Sequence, residues 1–545
     1  MKKLFIIFAI LFCGIAHSAQ IVNVEYIHNA IRQKWDITIP YNSELTNPRV
    51  AANMKYLLTA VDVANEMLNG DKTTDYGGGE YATTVAADTV ATDLAVESLV
   101  KSQTTSGFVV TVEGSYIEFS ISAAGTFHID WGDKTAETIT KNHAEETTVS
   151  HSYNTFGKYK IKLDGNATAY DTDSWSTPTI SFNPYLYFSD ASVIAIDGSL
   201  SKIFPTLPDG TNPRFYQSFL GTSIKSIPND LFSGLHGQWS EMMFYGTFAE
   251  TNIQEIPPNL FADLSGPGTS QLFYNSFQGT KITEIPENLF SGCESLSSSI
   301  FAGTFADTNI TEIPENLFSS FRHSGNAPLY TFSYTFSGTP ITSIPENLFK
   351  SIPAGGAAFD GTFAGTNITK IPENLFANIL FNGDLFALFA STFENTPITS
   401  IPENLFTHVL NNADIMDYSE AFWSTFYGCS QLSELPNNLF AGINLNNSIY
   451  SSSIFAYTFA DCVNLQTIPD NLLGASEINT EVFDNNYTMF MGMFAGCNSL
   501  TGPSVRINGQ YLYEIQPNDF NDNFIGMYYV ATGLTDYNNI PEGWK

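Results

Sequence analysis

The chain has 545 residues, 22 Lys+Arg against 55 Asp+Glu, and a formal charge of −33. A length several times that of a typical domain of about 100–200 residues implies several structural units. Acidity on this scale excludes a nucleic-acid partner and disfavours anionic lipid, since both need a basic surface.

The first segment, residues 1–18, has the three-part layout of a secretory signal peptide: Lys2 and Lys3, an apolar run from Leu4 to Ile15, then Ala16-His17-Ser18. That run is too short to span a bilayer, and no later stretch reaches about 18 apolar residues, so no transmembrane segment is expected. The protein is therefore expected to be exported, either secreted or held at the cell surface. Residues 19–105 read as a helical N-terminal region. Asn47 and Pro48 open a helix that runs to Leu68 and stops at Gly70, and a second apolar-periodic stretch covers Val85 to Val100.

From Gly107 the pattern alternates with period two, as in Phe108-Val109-Val110-Thr111-Val112 and Tyr116-Ile117-Glu118-Phe119. Phe127-His128-Ile129-Asp130-Trp131-Gly132-Asp133-Lys134-Thr135 comes next, then His151-Ser152-Tyr153 and Gly157-Lys158-Tyr159-Lys160-Ile161. A strand ending in D-W-G-D-x-T before H-x-Y and G-x-Y-x-I resembles the PKD-type domain. That resemblance implies a small immunoglobulin-like β-sandwich over 107–168, used in extracellular proteins as a spacer or weak binder. Asp130 and Asp133 read as acceptors for turn backbone, with calcium ligation as the alternative. Residues 169–209 then read as a connector and N-terminal cap for a solenoid.

Residues 210–502 are a repeat. Ile285-Pro286-Glu287-Asn288-Leu289-Phe290 recurs unchanged at 313–318, 344–349, 371–376 and 401–406, with looser copies at Ile227, Ile256, Leu435 and Ile468. The spacing predicts about nine stacked coils, closed by a cap over 503–545. Each coil carries two Phe four apart, such as Phe273/Phe277 and Phe301/Phe305, a spacing that places both rings on one face of a short helix. A segment such as Thr280-Lys281-Ile282-Thr283-Glu284-Ile285 then reads as a strand that pairs in parallel with its neighbours. No coil can bury its own Phe, Ile and Leu, so stability must come from stacking.

Stacking puts like residues in columns. Asn259, Asn288, Asn316, Asn347, Asn374, Asn404, Asn438 and Asn471 suggest an amide ladder or helix caps. Glu287, Glu315, Glu346, Glu373 and Glu403 bring like charges together, which a cation such as calcium could relieve. Cys429, Cys462 and Cys497 stand where other coils have Thr, which suits small buried thiols better than disulfides.

Phe459-Ala460-Asp461-Cys462-Val463-Asn464-Leu465-Gln466-Thr467-Ile468-Pro469 resembles the BspA-like leucine-rich repeats of bacterial surface proteins. That resemblance implies an α/β leucine-rich-repeat-like solenoid of short parallel strands and short helices, and a role in adhesion to host proteins or neighbouring cells. The units are about 30 residues long where the family's are often in the low twenties. The function expected is thus an adhesin-like binding protein for extracellular protein or glycan. A polysaccharide-active enzyme or its binding subunit, and a structural envelope protein, stand as alternatives. The histidines are scattered, and neither a zinc-protease motif, a nucleophile elbow nor a phosphate loop is present. The middle coils are nearly identical, as in a scaffold. No catalytic, cofactor or metal residue is therefore assigned. Candidate contacts lie on the exposed strand face (Gln254, Glu255, Thr283, Glu284, Thr311, Glu312, Thr369, Lys370) or, more promisingly, in the unlike loops: Phe321, Arg322, His323, Leu380, Phe381 and Phe386.

Overall fold

Alternating apolar residues build the first strand, β1 (Phe108–Ile121), with Phe108, Val110, Val112, Phe119 and Ile121 buried. The computed structural model describes residues 107–172, 177–186, 189–321, 328–350, 352–381, 386–410, 418–443, 452–474, 483, 488–516 and 522–545. The expected export segment and the two expected N-terminal helices lie outside them. Gly107–Lys545 forms one compact unit.

The remaining strands of the first part are β2 (Ala123–Asp130), β3 (Ala136–Lys141), β4 (Thr147–Tyr170), β5 (Ile180–Ser181) and β6 (Ser192–Asp197). They form one six-stranded antiparallel sheet, ordered β3-β2-β4-β1-β5, with β6 also paired to β1. This differs from the two facing sheets of an immunoglobulin-like sandwich. The 24-residue β4 pairs with β1 over Thr147–Leu163 and with β2 over Lys162–Tyr170, which keeps the strands in a single sheet. Two of its strands, β5 and β6, come from the segment expected to be a connector. The D-W-G-D motif makes the turn after β2. Asp130 Oδ1 accepts the Gly132 N–H (2.9 Å) and Asp133 Oδ1 the Thr135 N–H (2.9 Å). His151 Nε2 lies 2.9 Å from Asp133 Oδ2, and its ring stacks on Trp131 at 4.6 Å. Hydrogen bonds from Thr135 and His151 hold the Asp133 carboxyl down at about 2.

The expected α/β solenoid is corrected by the backbone of the repeats. Helix is scarce among the described residues: α1 (Thr407–Leu410) and α2 (Leu512–Ile515) have four residues each, and neither holds a Phe pair. The Phe-x-x-x-Phe segments are chains of turns. In the coil around Phe273, the positive-φ residues are Gln271, Asn275 and Gly279; in the next they are Ser299, Gly303 and Asp307. A left-handed residue at every fourth position is incompatible with a right-handed helix, yet it returns the two rings to the same side just as a helix would.

The hydrogen bonds explain the choice. Alternate N–H groups close turns within the coil, as in Tyr274 to Gln271 C=O (3.3 Å) and Ser276 to Phe273 C=O (3.1 Å). The others reach the next coil, as in Phe273 to Ile300 C=O (2.9 Å), Asn275 to Ala302 C=O (2.9 Å) and Phe277 to Thr304 C=O (3.0 Å). An α-helix would spend every N–H inside the coil and leave the stack without backbone bonds.

The Thr-x-Ile-x-x-Ile segments are extended, but they are not strands of a sheet. Only one or two N–H groups of such a segment, such as Lys281 to Ile253 C=O (2.8 Å) or Asn252 to Ile224 C=O (3.0 Å), reach back to the previous coil. Parallel pairs occur in the connections instead: β7 (Gly266–Pro267) with β8 (Cys293–Ser295), and β9 (Pro353–Ala354) with β10 (Leu380–Phe381). A final antiparallel pair joins β11 (Arg506–Ile507) and β12 (Gln510–Tyr511).

Inside the stack the phenylalanines form continuous columns. Phe244, Phe273, Phe301, Phe332, Phe359 and Phe389 succeed one another at 5.8–5.9 Å between ring centroids. At the start, Phe182 and Phe108 of the sheet region meet Phe219 at 5.8 and 6.2 Å. At the end, Trp544 stacks on Phe524 at 3.9 Å. A second buried column runs between the rings. Thr304, Thr335, Thr362, Thr392, Thr425 and Thr458 each donate a hydroxyl bond of 2.8–2.9 Å to a Phe C=O of the preceding coil.

The other columns divide. Cys429, Cys462 and Cys497 are buried free thiols donating to Phe393, Phe426 and Phe459 C=O at 3.0–3.2 Å. Burial pushes Cys429 and Cys497 up to about 12 and raises Cys462 as well. The Asn column is exposed and is not an interior amide ladder. The bend it occupies is closed by backbone, as in Ser291 N–H to Asn288 C=O (3.1 Å). The five Glu are exposed too. Among the described residues, no group of three His, Cys, Asp or Glu could hold a metal ion, and no helix is long and apolar enough to cross a membrane.

Candidate binding groove

The turn segments have two faces. The rings and the Thr column point inward, and the residues between them point outward. Those inward positions hardly vary, whereas the outward ones differ from coil to coil. The residue after the first Phe is Tyr216, Tyr245 and Tyr274 in three successive coils, whose rings stack at 4.8 and 4.6 Å. In the next coil the same position is Ala302, which is 5% exposed, and the stack of rings stops.

Where it stops, the face opens into a cavity of about 460 Å³, within the range of about 300–1,000 Å³ usual for ligand sites. Its floor is one coil of small residues: Ser299, Ala302, Gly303 and Ala306. One wall is the preceding coil, with Gln271, Tyr274, Asn275 and Gln278; the other is the following coil, with Tyr330, Ser333, Tyr334 and Ser337. Asp307 supplies a carboxylate at the edge. Tyr330 and Tyr334 are 40% and 42% exposed, large for aromatic rings on a structured backbone.

The site is held by the inter-coil bonds beneath it. Asn275 N–H binds Ala302 C=O (2.9 Å), Gly303 N–H binds Ser333 C=O (2.8 Å), and Asp307 N–H binds Ser337 C=O (2.8 Å). Gly303 is favoured by its backbone and required by its neighbour. Its φ is +62°, and a Cβ there would collide with the Asn275 amide oxygen, which lies across it. The following wall is braced by Asp360, whose Oδ2 accepts from Ser333 Oγ at 3.5 Å. Burial, with Glu420 and Glu394 nearby, raises the Asp360 carboxyl to about 7 against the hydrogen bonds from Tyr334 and Ser333. Burial and the Asp360 and Glu394 charges push the Tyr334 phenol up to about 12. The groove therefore offers neutral aromatic faces, amides and hydroxyls, with little charge.

The loop residues singled out from sequence are placed differently. Phe321 is half-buried against the interior ring Phe301 (5.4 Å), and Phe381 against Phe389 (6.4 Å). Leu380 pairs through its backbone with Pro353 in the β9–β10 ladder. Arg322 and His323 lie outside the described residues. Phe386 packs edge-on to the wall residue Tyr330 at 5.8 Å and against Ala357, Ala387 and Ala390, and does not itself line the groove. The polar residues Gln254, Glu255, Thr283, Glu284, Thr311, Glu312, Thr369 and Lys370 are exposed along the extended segments. Reading the segments as helices hid Tyr274, Tyr330 and Tyr334. The signal available was their variability beside invariant Phe.

No protein-family model, curated protein or solved structure matches this chain, so the PKD-type and BspA-like resemblances rest on the quoted motifs.

Proposed function

We propose that this protein is an exported, surface-displayed, adhesin-like binding protein whose ligand is an extracellular protein or glycan, and that it carries no catalysis of its own. One observation supports the reading above others: the stack repeats its interior almost unchanged while diversifying its outward face, and that face opens into a groove of aromatic rings, amides and hydroxyls. A scaffold that holds its core constant and varies its surface is suited to recognition. The net charge of −33 directs it to neutral or basic partners. The export segment and the resemblance to bacterial surface repeats are consistent with that location. The test is retention of the purified full chain on a panel of extracellular proteins and cell-surface glycans, alongside protease shaving of intact cells. Saturable retention and surface cleavage are expected. Absence of retention across the panel, or protection from shaving, would refute the reading.

A further inference from the structure

We infer that the groove over Ser299–Asp307 takes a neutral oligosaccharide, with a pyranose ring stacked on the free face of Tyr274. The inference rests on the binding role proposed above and names its ligand class.

Tyr274 is the last ring of the Tyr216–Tyr245–Tyr274 stack. Each earlier ring is covered by its successor, but the position beyond Tyr274 is Ala302, so that face lines the cavity. An aromatic face flanked by hydrogen-bonding groups is suited to a sugar, which has apolar C–H faces and a rim of hydroxyls. The rim partners are present. Gln271, Asn275 and Gln278 each offer both a donor and an acceptor, and Ser299, Ser333 and Ser337 add hydroxyls. The Asn275 amide lies across Gly303, where it can reach a sugar hydroxyl from the floor of the groove.

Spacing and charge narrow the class. Tyr274 and the coil of Tyr330–Ser337 are two steps apart, about 10 Å at roughly 4.8 Å per coil, which leaves the width of a pyranose ring over the small-residue coil between them. Among the described residues, the lining has one carboxylate, Asp307, and no cation. Uronates, sulfated sugars and phosphates would therefore meet repulsion without a partner.

The test is calorimetric titration of the full chain with hexamers of neutral glucans, xylans, mannans and chitin, and with polygalacturonate as an acidic control. The blocking variant is Ala302→Tyr. The same position already carries Tyr in the two preceding coils and Trp423 in a later one, so the fold accommodates the ring, and an unchanged melting temperature verifies this. Tyr274→Ala is the second variant. Expected are binding of at least one neutral hexamer, no binding of polygalacturonate, and at least a tenfold rise in Kd for both variants. Retention of the chain on extracellular material without binding to any neutral hexamer would overturn the ligand class and leave the binding role standing. Unaltered hexamer affinity in folded Ala302→Tyr would overturn the groove, and equal binding of polygalacturonate would overturn the charge argument. Failure of every ligand, protein or glycan, would remove the binding role itself.

Discussion

Asp360 links the groove wall to stability, and replacing it should make the protein more stable in alkali. Its side chain is half-buried between coils, with Ser333 and Tyr334 on one side and the charges of Glu394 and Glu420 nearby. Burial disfavours the carboxylate, so the folded protein holds this proton up to about 7, whereas the unfolded chain releases it near 3.8. Between those values the folded state binds more protons than the unfolded state, so stability falls as pH rises through the interval. At about 1.4 kcal/mol per pH unit, the loss attributable to this group is about 4 kcal/mol, complete above about pH 7 and absent below about pH 4. Asp360→Asn keeps the shape and removes the titration. Urea unfolding of both proteins at pH 4.5 and pH 8 isolates the effect, because every other carboxylate is common to the two. The variant should gain up to about 4 kcal/mol over the parent at pH 8 and only about 1 kcal/mol at pH 4.5. Parallel stability–pH curves would refute the account, as would a variant that loses stability most at pH 8.

Two further substitutions probe the stack. Thr392→Val removes the hydroxyl that donates to Phe359 C=O at 2.9 Å; the carbonyl keeps its bond from Thr362 N–H, so a loss of about 1 kcal/mol is expected in urea unfolding, and Thr392→Ser should recover most of it. Trp544→Ala strips the ring that covers Phe524 at 3.9 Å. A fully buried aromatic costs about 3–5 kcal/mol to truncate, and in a stack the damage is local. Hydrogen exchange should therefore quicken over 490–516 and 522–530 while the amides of 271–321 and 328–337 keep their protection.

What the sequence discloses here depends on which physical rule is being read. The interior was legible. Recurrence at about 30 residues marks Phe, Ile and Leu as shared positions, and Phe301, Phe305, Ile310, Ile313, Leu317 and Phe318 are all buried. The backbone between them was not legible, because two Phe four apart fit both a helical turn and a chain of turns with a left-handed residue at every fourth place. The discriminating signal was weak: Gly246, Gly303 and Gly361 favour the second, but Tyr334 and Ser391 occupy the same left-handed position. Only the demand for bonds between coils decides it, and that demand belongs to the stack. The groove was less legible still. Phe321 and Phe381 stand out in sequence as unlike residues in loops, yet their rings turn inward, and the bare face of Tyr274 exists because of what is missing at Ala302.

The left-handed positions also explain why such grooves form at all. A large side chain there projects over the same position of the next coil, so the residue beneath it has to be small. Tyr334 lies over Gly361, Tyr457 over Gly492, Asp307 over Gly338 and Asn395 over Gly428; in each case a Cβ on the glycine would strike the side chain above it. Large outward residues at these positions therefore exclude large ones in the coil beyond. Where a large residue takes such a position the coil beyond it is held low, so a trough about one coil wide, roughly 10 Å across two steps at the usual spacing between paired backbones, opens behind it. Troughs of fixed width are thus a by-product of backbone geometry, and their chemistry is free to vary with the residues on the crests. The coil of Ser299, Ala302, Gly303 and Ala306 is one such trough, flanked by tyrosines on both sides. Insertions in the connecting loops leave that spacing untouched, because the turn segments stay bonded coil to coil. Stacking is in this way carried by the inward face of the turn segments, and the outward face can diversify without disturbing the column of rings behind it.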